Sequence, residues 1–159
     1  MPKLTQVKET KRGRYALFFD GEFAFSLDED TFAMAGLHTG DELEEWQIHD
    51  LQTKSDTRKA VDKAMDLLAL RDHAAGELYQ KLCRSFDPHS AAAAVAKMQE
   101  LNLLDDAGFA RRRAAELLRK RKSRRAILDD LHAKGIDRGA AAEAVETLFA
   151  QSEEDEEEN

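Results

Sequence analysis

The chain holds one cysteine, Cys83, among its 159 residues. A single thiol excludes a disulfide framework and any cysteine-based metal site. The five histidines, His38, His49, His73, His89 and His132, show no metal-ligand spacing with one another or with Cys83. No glycine-rich phosphate loop is present, because Gly36 and Gly40 fall in turns with no Lys-Ser or Lys-Thr after them. Serine-centred catalytic motifs are also missing. No apolar run approaches the ~20 residues a membrane helix needs, and the first residues lack the apolar core of a signal peptide. These absences lead to the expectation of a cytoplasmic protein with no cofactor, no metal and no membrane contact, and with no enzymatic chemistry of its own.

What the chain does have is an internal repeat. Ala64, Leu67, Leu68 and Arg71 recur as Ala114, Leu117, Leu118 and Arg121, an offset of 50. Ala74, Leu78 and Leu82 recur as Ser123, Ile127 and Leu131 at 49, and Phe86, Asp87, Val95 and Met98 recur as Ile136, Asp137, Val145 and Leu148 at 50. A period this long, read in three apolar segments, predicts a three-helix unit used twice. Helices are expected near 58–70, 74–84, 89–101, 106–122, 124–134 and 138–150. Ser123 is a good N-cap for the fifth. Ala74 leaves the second without one, and Asp72 is the candidate to cap it instead.

Ahead of the repeat the pattern is that of strands. Leu4 and Val7 open the first, Tyr15, Leu17 and Phe19 the second, and Phe23, Phe25 and Leu27 the third. Asp20-Gly21 is a two-residue hairpin signal, since Gly accepts positive φ cheaply. Asp28 can cap a short helix anchored by Phe32 and ended by Gly36. Residues 43–51 read as a short strand or helix, and Lys54-Ser55-Asp56-Thr57 as a polar joint. The expected fold is therefore mainly α, with two tandem three-helix repeat units preceded by a small β-rich N-terminal module. Its expected boundaries are 1–55, 58–104, 105–150 and a disordered acidic tail over 151–159.

Charge is unevenly spread. There are 24 basic and 32 acidic residues, a net charge of −8. Six of the acids form the run 153–158. Nine cations lie between Arg111 and Arg125, against one acid, Glu116. On a wheel at about 100° per residue, Ala110, Ala114, Leu117 and Arg121 cluster on one side of the fourth helix. Arg112 and Arg119 point the opposite way, flanked by Arg111 and Lys122 and by Arg113 and Lys120. Arg124 and Arg125 extend this basic face past the turn. Solvated faces usually mix charge signs, whereas unopposed cations repel unless a polyanion or acidic surface compensates. Arg111, Arg112, Arg113, Arg119, Lys120, Lys122, Arg124 and Arg125 are therefore the expected partner surface. Asp105 and Asp106 read as the N-cap and first-turn charges of that helix. Arg71 and Arg121 read as structural, packing their stems and pairing with Asp105, Asp106, Asp129 or Asp130.

Three segments carry a family resemblance. Leu104-Asp105-Asp106-Ala107-Gly108-Phe109-Ala110 resembles the LDDxxFA signature of the RecX family of recombination regulators. Leu70-Arg71-Asp72-His73, with Glu77-Leu78 and Lys81-Leu82, resembles its R-D-H-S-x-x-E-L-x-x-K-L run. Ala126-Ile127, Leu131 and Lys134-Gly135-Ile136 resemble its R-I-x-x-x-L-x-x-K-G-I run. The hairpin from Tyr15 to Phe25 resembles that of some bacterial members. The resemblance implies a protein that binds the RecA recombinase, lies in the groove of its filament on single-stranded DNA, and restrains filament growth, ATP hydrolysis and strand exchange; a monomer is expected, with contact to the single-stranded DNA open to it. It implies that Arg71, Leu104, Asp105, Asp106, Phe109 and Arg121 are structural motif residues. The chain departs from the family pattern in two places. The acidic run stands where a third helical unit commonly begins, and Lys120-Arg121-Lys122-Ser123-Arg124-Arg125 replaces a glycine-rich link. The alternative from another class is a stand-alone, sequence-independent nucleic-acid-binding helical module.

Overall fold

The computed structural model of the chain describes residues 1–158. Two compact units divide after Asp62.

The first unit opens with three antiparallel strands in the order β1 (Leu4–Glu9), β2 (Arg14–Phe19), β3 (Glu22–Asp28). Asp20 and Gly21 both take positive φ, 52° and 83°, as the expected two-residue hairpin demands. Leu4, Leu17, Phe19, Phe25 and Leu27 line the core face with Leu43 and Leu51. The expected alternation fails at Phe23. A register shift pairs Leu17 with Phe25 but Phe18 with Phe23, leaving Ala24 as the extra residue. Phe23 is thereby turned to solvent, where it meets Phe18 edge to face. The short helix α1 (Glu29–Ala35) starts and ends as expected. Asp28 accepts from Thr31 N–H, Gly36 closes the helix at φ 60°, and Phe32 stacks on Tyr15.

Helix α2 (Glu45–Leu70) runs unbroken through residues 54–57, so the expected polar joint is absent. The reason is tertiary. Ser55 is fully buried, donates to the Ser26 carbonyl and accepts from Arg14 Nη2. A polar residue there satisfies sheet groups rather than breaking the helix. The boundary between units accordingly falls inside α2, not at a linker before it.

The second unit takes up the end of α2 and adds α3 (Ala75–Leu82), α4 (Pro88–Glu100), α5 (Asp106–Arg119), α6 (Arg124–Ala133) and α7 (Arg138–Glu158). Asp87, Asp105 and Ser123 each cap the following helix through a side-chain oxygen. The repeat is visible in burial. Ala64 and Ala114, Leu78 and Ile127, Leu82 and Leu131, and Val95 and Val145 are all buried. Helices α4, α5 and α6 also close alike, with Asn102, Arg121 and Gly135 in the left-handed region. In each, the next amide reaches back five residues: Leu103 to Met98, Lys122 to Leu117, Ile136 to Leu131. Helix α5 thus ends at Arg119, short of the expected 122, and Arg121 leaves the helix. Helix α7 continues to Glu158 instead of yielding to a disordered tail at 151. Glutamate is a good helix former, and here that propensity carries the helix through the like charges. Asn159, the last residue of the expected tail, lies outside the described residues. No helix among the described residues is long and apolar enough to cross a membrane.

Candidate partner-binding surface

Helix α5 presents the predicted basic face, and its inner stripe explains why that face points outward. Phe109, Ala110, Ala114 and Leu117 are buried against Ile127, Leu131 and Val145. Arg111, Arg112, Arg119 and Lys120 are left to solvent, and Leu118 packs half-buried against the same core. The nine cations are not all unopposed, however. Arg113 is drawn inward and grips Asp130 with two bonds, 2.9 and 3.1 Å, and Glu116 with a third. Those bonds hold the Asp130 carboxyl below its usual range despite partial burial, and raise the Arg113 guanidinium. Arg113 is a strut between α5 and α6, with its side chain 27% exposed. Arg112 pairs with Asp72 at 3.4 Å, Lys120 with Glu116 at 3.4 Å, and Arg124 with Glu146 at 3.0 Å. The Arg124 guanidinium also lies 4.9 Å over the Phe149 ring.

Arg111, Arg119, Lys122 and Arg125 remain exposed with no acid partner among the described residues. Arg121, expected to be structural, joins them. It occupies the left-handed closing position of α5 at φ 62°, exposed and without a carboxylate partner among the described residues. The sequence held a signal for this. Arg71 pairs with Glu77, and the repeat position of Glu77 in the second unit is Ala126. The α5–α6 turn is therefore a compact basic knob, and the N-terminal dipole of α6 adds to its positive field.

Of the predicted structural residues, Asp106 and Phe109 make contacts across a joint between the two three-helix units, and Arg71 holds Glu77 beside it. Arg71 binds Glu77 through both guanidinium nitrogens, at 3.1 and 2.8 Å, and donates to the Asp72 carbonyl. None of the four expected aspartates is its partner. Burial opposes ionisation of Glu77, but the bonds and charge of Arg71, with Lys134 at 3.5 Å, hold it at about 2. His73 is buried, its Nδ1 at 2.9 Å from the Arg71 carbonyl and its Nε2 at 2.9 Å from Lys81 Nζ. Burial and these cations depress its pKa, so the ring is neutral with the proton on Nδ1. Asp105 caps its own helix through Gly108 N–H, as expected. Asp106 does more, since its Oδ1 accepts from Ala75 N–H at 2.8 Å. The second three-helix unit thus caps the uncapped α3 of the first three-helix unit, in place of the expected Asp72. Ala74 is buried in the second unit's core beside Phe109. Leu104 is half-buried just ahead of Asp105. Gly76 meets Gly135 backbone to backbone, so closely that a Cβ on Gly76 would fall 2.8 Å from Gly135 Cα. Sequence spacing alone did not single out this glycine pair, because the two lie far apart in the chain.

Among proteins of known name, this chain is 27% identical over 149 residues to regulatory protein RecX of Caldanaerobacter subterraneus, covering 93% of this chain and 76% of that protein. It is 36% identical over 140 residues to the RecX protein of Lactobacillus delbrueckii, covering 86% and 52%. It is 27% identical over 155 residues to that of Bacillus subtilis, covering 93% and 58%. The chain thus spans little more than half the length of the last two. A crystal structure of regulatory protein RecX superposes with a TM-score of 0.68 at 24% identity, over 93% of this chain and 74% of that one, which shows a shared fold. No protein-family model matches. Agreement over nearly the whole chain, through the β module, both helical units and the joint between them, places this protein in the RecX family of regulatory proteins.

Proposed function

We propose that the chain regulates the RecA recombinase in the cytoplasm by lying on its filament on single-stranded DNA. It restrains filament growth, ATP hydrolysis and strand exchange. The observation that carries this reading is similarity to RecX proteins over 86–98% of the chain, together with a joint in which Asp106 accepts from Ala75 N–H and Phe109 shares a core with Ala74, fixing one three-helix unit on the next. A rigid tandem suits occupation of a repeating surface, and occupation needs no chemistry by the regulator. The exposed cations Arg111, Arg119, Arg121, Lys122 and Arg125 supply the electrostatic part of the contact, to acidic protein surface and to the DNA backbone.

The alternative, a nucleic-acid-binding module acting without RecA, is favoured by the concentration of unpaired cations in one exposed turn. Co-sedimentation with RecA, with and without single-stranded DNA, separates the two. The regulatory reading expects retention on RecA–DNA filaments well beyond that on the same DNA alone. Equal retention on DNA with and without RecA refutes it in favour of the module.

A further inference from the structure

Helix α7 ends in acid on the same side of its unit as the basic turn. Two contacts set the register. Arg124, the first residue of α6, binds Glu146 at 3.0 Å and lies over Phe149. Residues 146–149 of α7 are thereby fixed beside the α5–α6 turn, and the helix then continues to Glu158. At a rise of 1.5 Å per residue, Glu153, Glu154 and Glu156 stand ~6 to ~10 Å beyond Phe149 along the helix axis. Glu153 is also seven residues from Glu146, which returns it to within about 20° of the same helix face. All three acids are exposed, as are Arg121, Lys122 and Arg125 on the neighbouring turn. Glu153 and Glu154 thus stand, along the axis, within about one Debye length at physiological salt of the ring that Arg124 covers. An acidic run at a helix C-terminus is disfavoured by the macrodipole and by its own repulsion. A neighbouring cation cluster offsets both.

We propose that the acidic end of α7 is a tethered competitor for the α5–α6 turn. It weakens the hold of that turn on a flexible polyanion, the phosphate backbone of single-stranded nucleic acid. The proposal rests on the reading of the turn as a contact surface and adds its regulation. A tethered acid displaces a mobile chain of phosphates more readily than a shaped protein groove with several contacts elsewhere. The extension therefore biases the chain away from bare nucleic acid and towards its protein-coated form.

The test compares four full-length or nearly full-length proteins by fluorescence anisotropy with a labelled oligothymidine. They are the native chain, a chain ending at Gln151, the triple variant E153Q/E154Q/E156Q, and the control E42Q/E44Q/E45Q. The control removes the same charge from the other compact unit. At low salt the truncated and E153Q/E154Q/E156Q proteins are expected to bind about three- to ten-fold tighter than the native chain, with the gain shrinking as salt rises. The control is expected to match the native chain. Measurable and equal affinities for the native chain and the triple variant at low salt would overturn the competition alone. An equal gain in the control would overturn it too, by assigning the effect to net charge. Absence of binding by all four would refute the polyanion reading of the turn, and the proposal with it.

Discussion

Replacing Gly76 with alanine sets two effects of opposite sign against each other at the joint. Gly76 lies in the first turn of α3, where alanine is the better helix former by about 1 kcal/mol. Local propensity therefore predicts a more stable protein. The packing predicts the reverse. An added Cβ would stand 2.8 Å from both Cα and O of Gly135 and 3.2 Å from its carbonyl carbon. Those are backbone atoms, and no side-chain rotation relieves the clash. The two units must part by roughly half an ångström or more, and overpacking of this kind costs about 1–3 kcal/mol. Parting also lengthens the Ala75–Asp106 bond, now 2.8 Å, and the Lys134–Glu77 ion pair. The net expectation for Gly76→Ala is a loss of about 1–2 kcal/mol, read as a lower urea midpoint by helical circular dichroism. Gly139→Ala is the matched control. It too lies in the first turn of a helix, α7, but its Cβ would meet only Asp137 Oδ1, at 3.4 Å. Its expected effect is neutral to stabilising, up to about 1 kcal/mol. If Gly76→Ala stabilises as Gly139→Ala does, the glycine contact does not hold the units together and the account of the joint is wrong.

Other substitutions probe the same architecture. Arg121→Gly should raise stability by up to about 1 kcal/mol in urea unfolding, because it relieves a left-handed arginine; at the same time it should weaken polyanion binding. Asp106→Ala should cost about 1 kcal/mol by uncapping α3 from the neighbouring unit, and Asp106→Asn, which keeps an acceptor, should recover most of it. Glu77, held at about 2 in the folded chain, stabilises the fold above its ordinary pKa; that contribution fades as pH falls from about 5 towards 2. Arg71 is half exposed, so screening reduces the contribution to about 1–2 kcal/mol. Glu77→Gln should lose this amount at neutral pH and flatten the acid limb of the stability profile.

Features fixed by neighbours in the chain were legible beforehand. The Asp20-Gly21 hairpin, the Asp28 and Gly36 ends of α1, and the Asp105 and Ser123 caps each need only a few adjacent residues. Features set by distant partners were not. Phe23 is turned out by a register shift that only strand pairing creates, and Ser55 reads as a linker residue until Ser26 and Arg14 are placed beside it. The basic face divides for the same reason. Arg112, Arg113 and Arg124 find their acids 40, 17 and 22 residues away, which no wheel of α5 reveals. Arg121 was misread as well, although the repeat sets Ala126 where Glu77 holds Arg71, a signal that gains its meaning once that pair is seen.

The central claim is that this chain acts on RecA by occupying its filament through the tandem units and their basic turn. The most direct measurement is the single-stranded-DNA-dependent ATPase of RecA, titrated with the native chain and with R119E/K122E/R125E, a variant altered only at exposed positions. The account predicts that the native chain slows hydrolysis at near-equal or lower ratios to RecA, and that the variant, folded by circular dichroism, does so only weakly. Unchanged hydrolysis at a large excess of the native chain would contradict the claim.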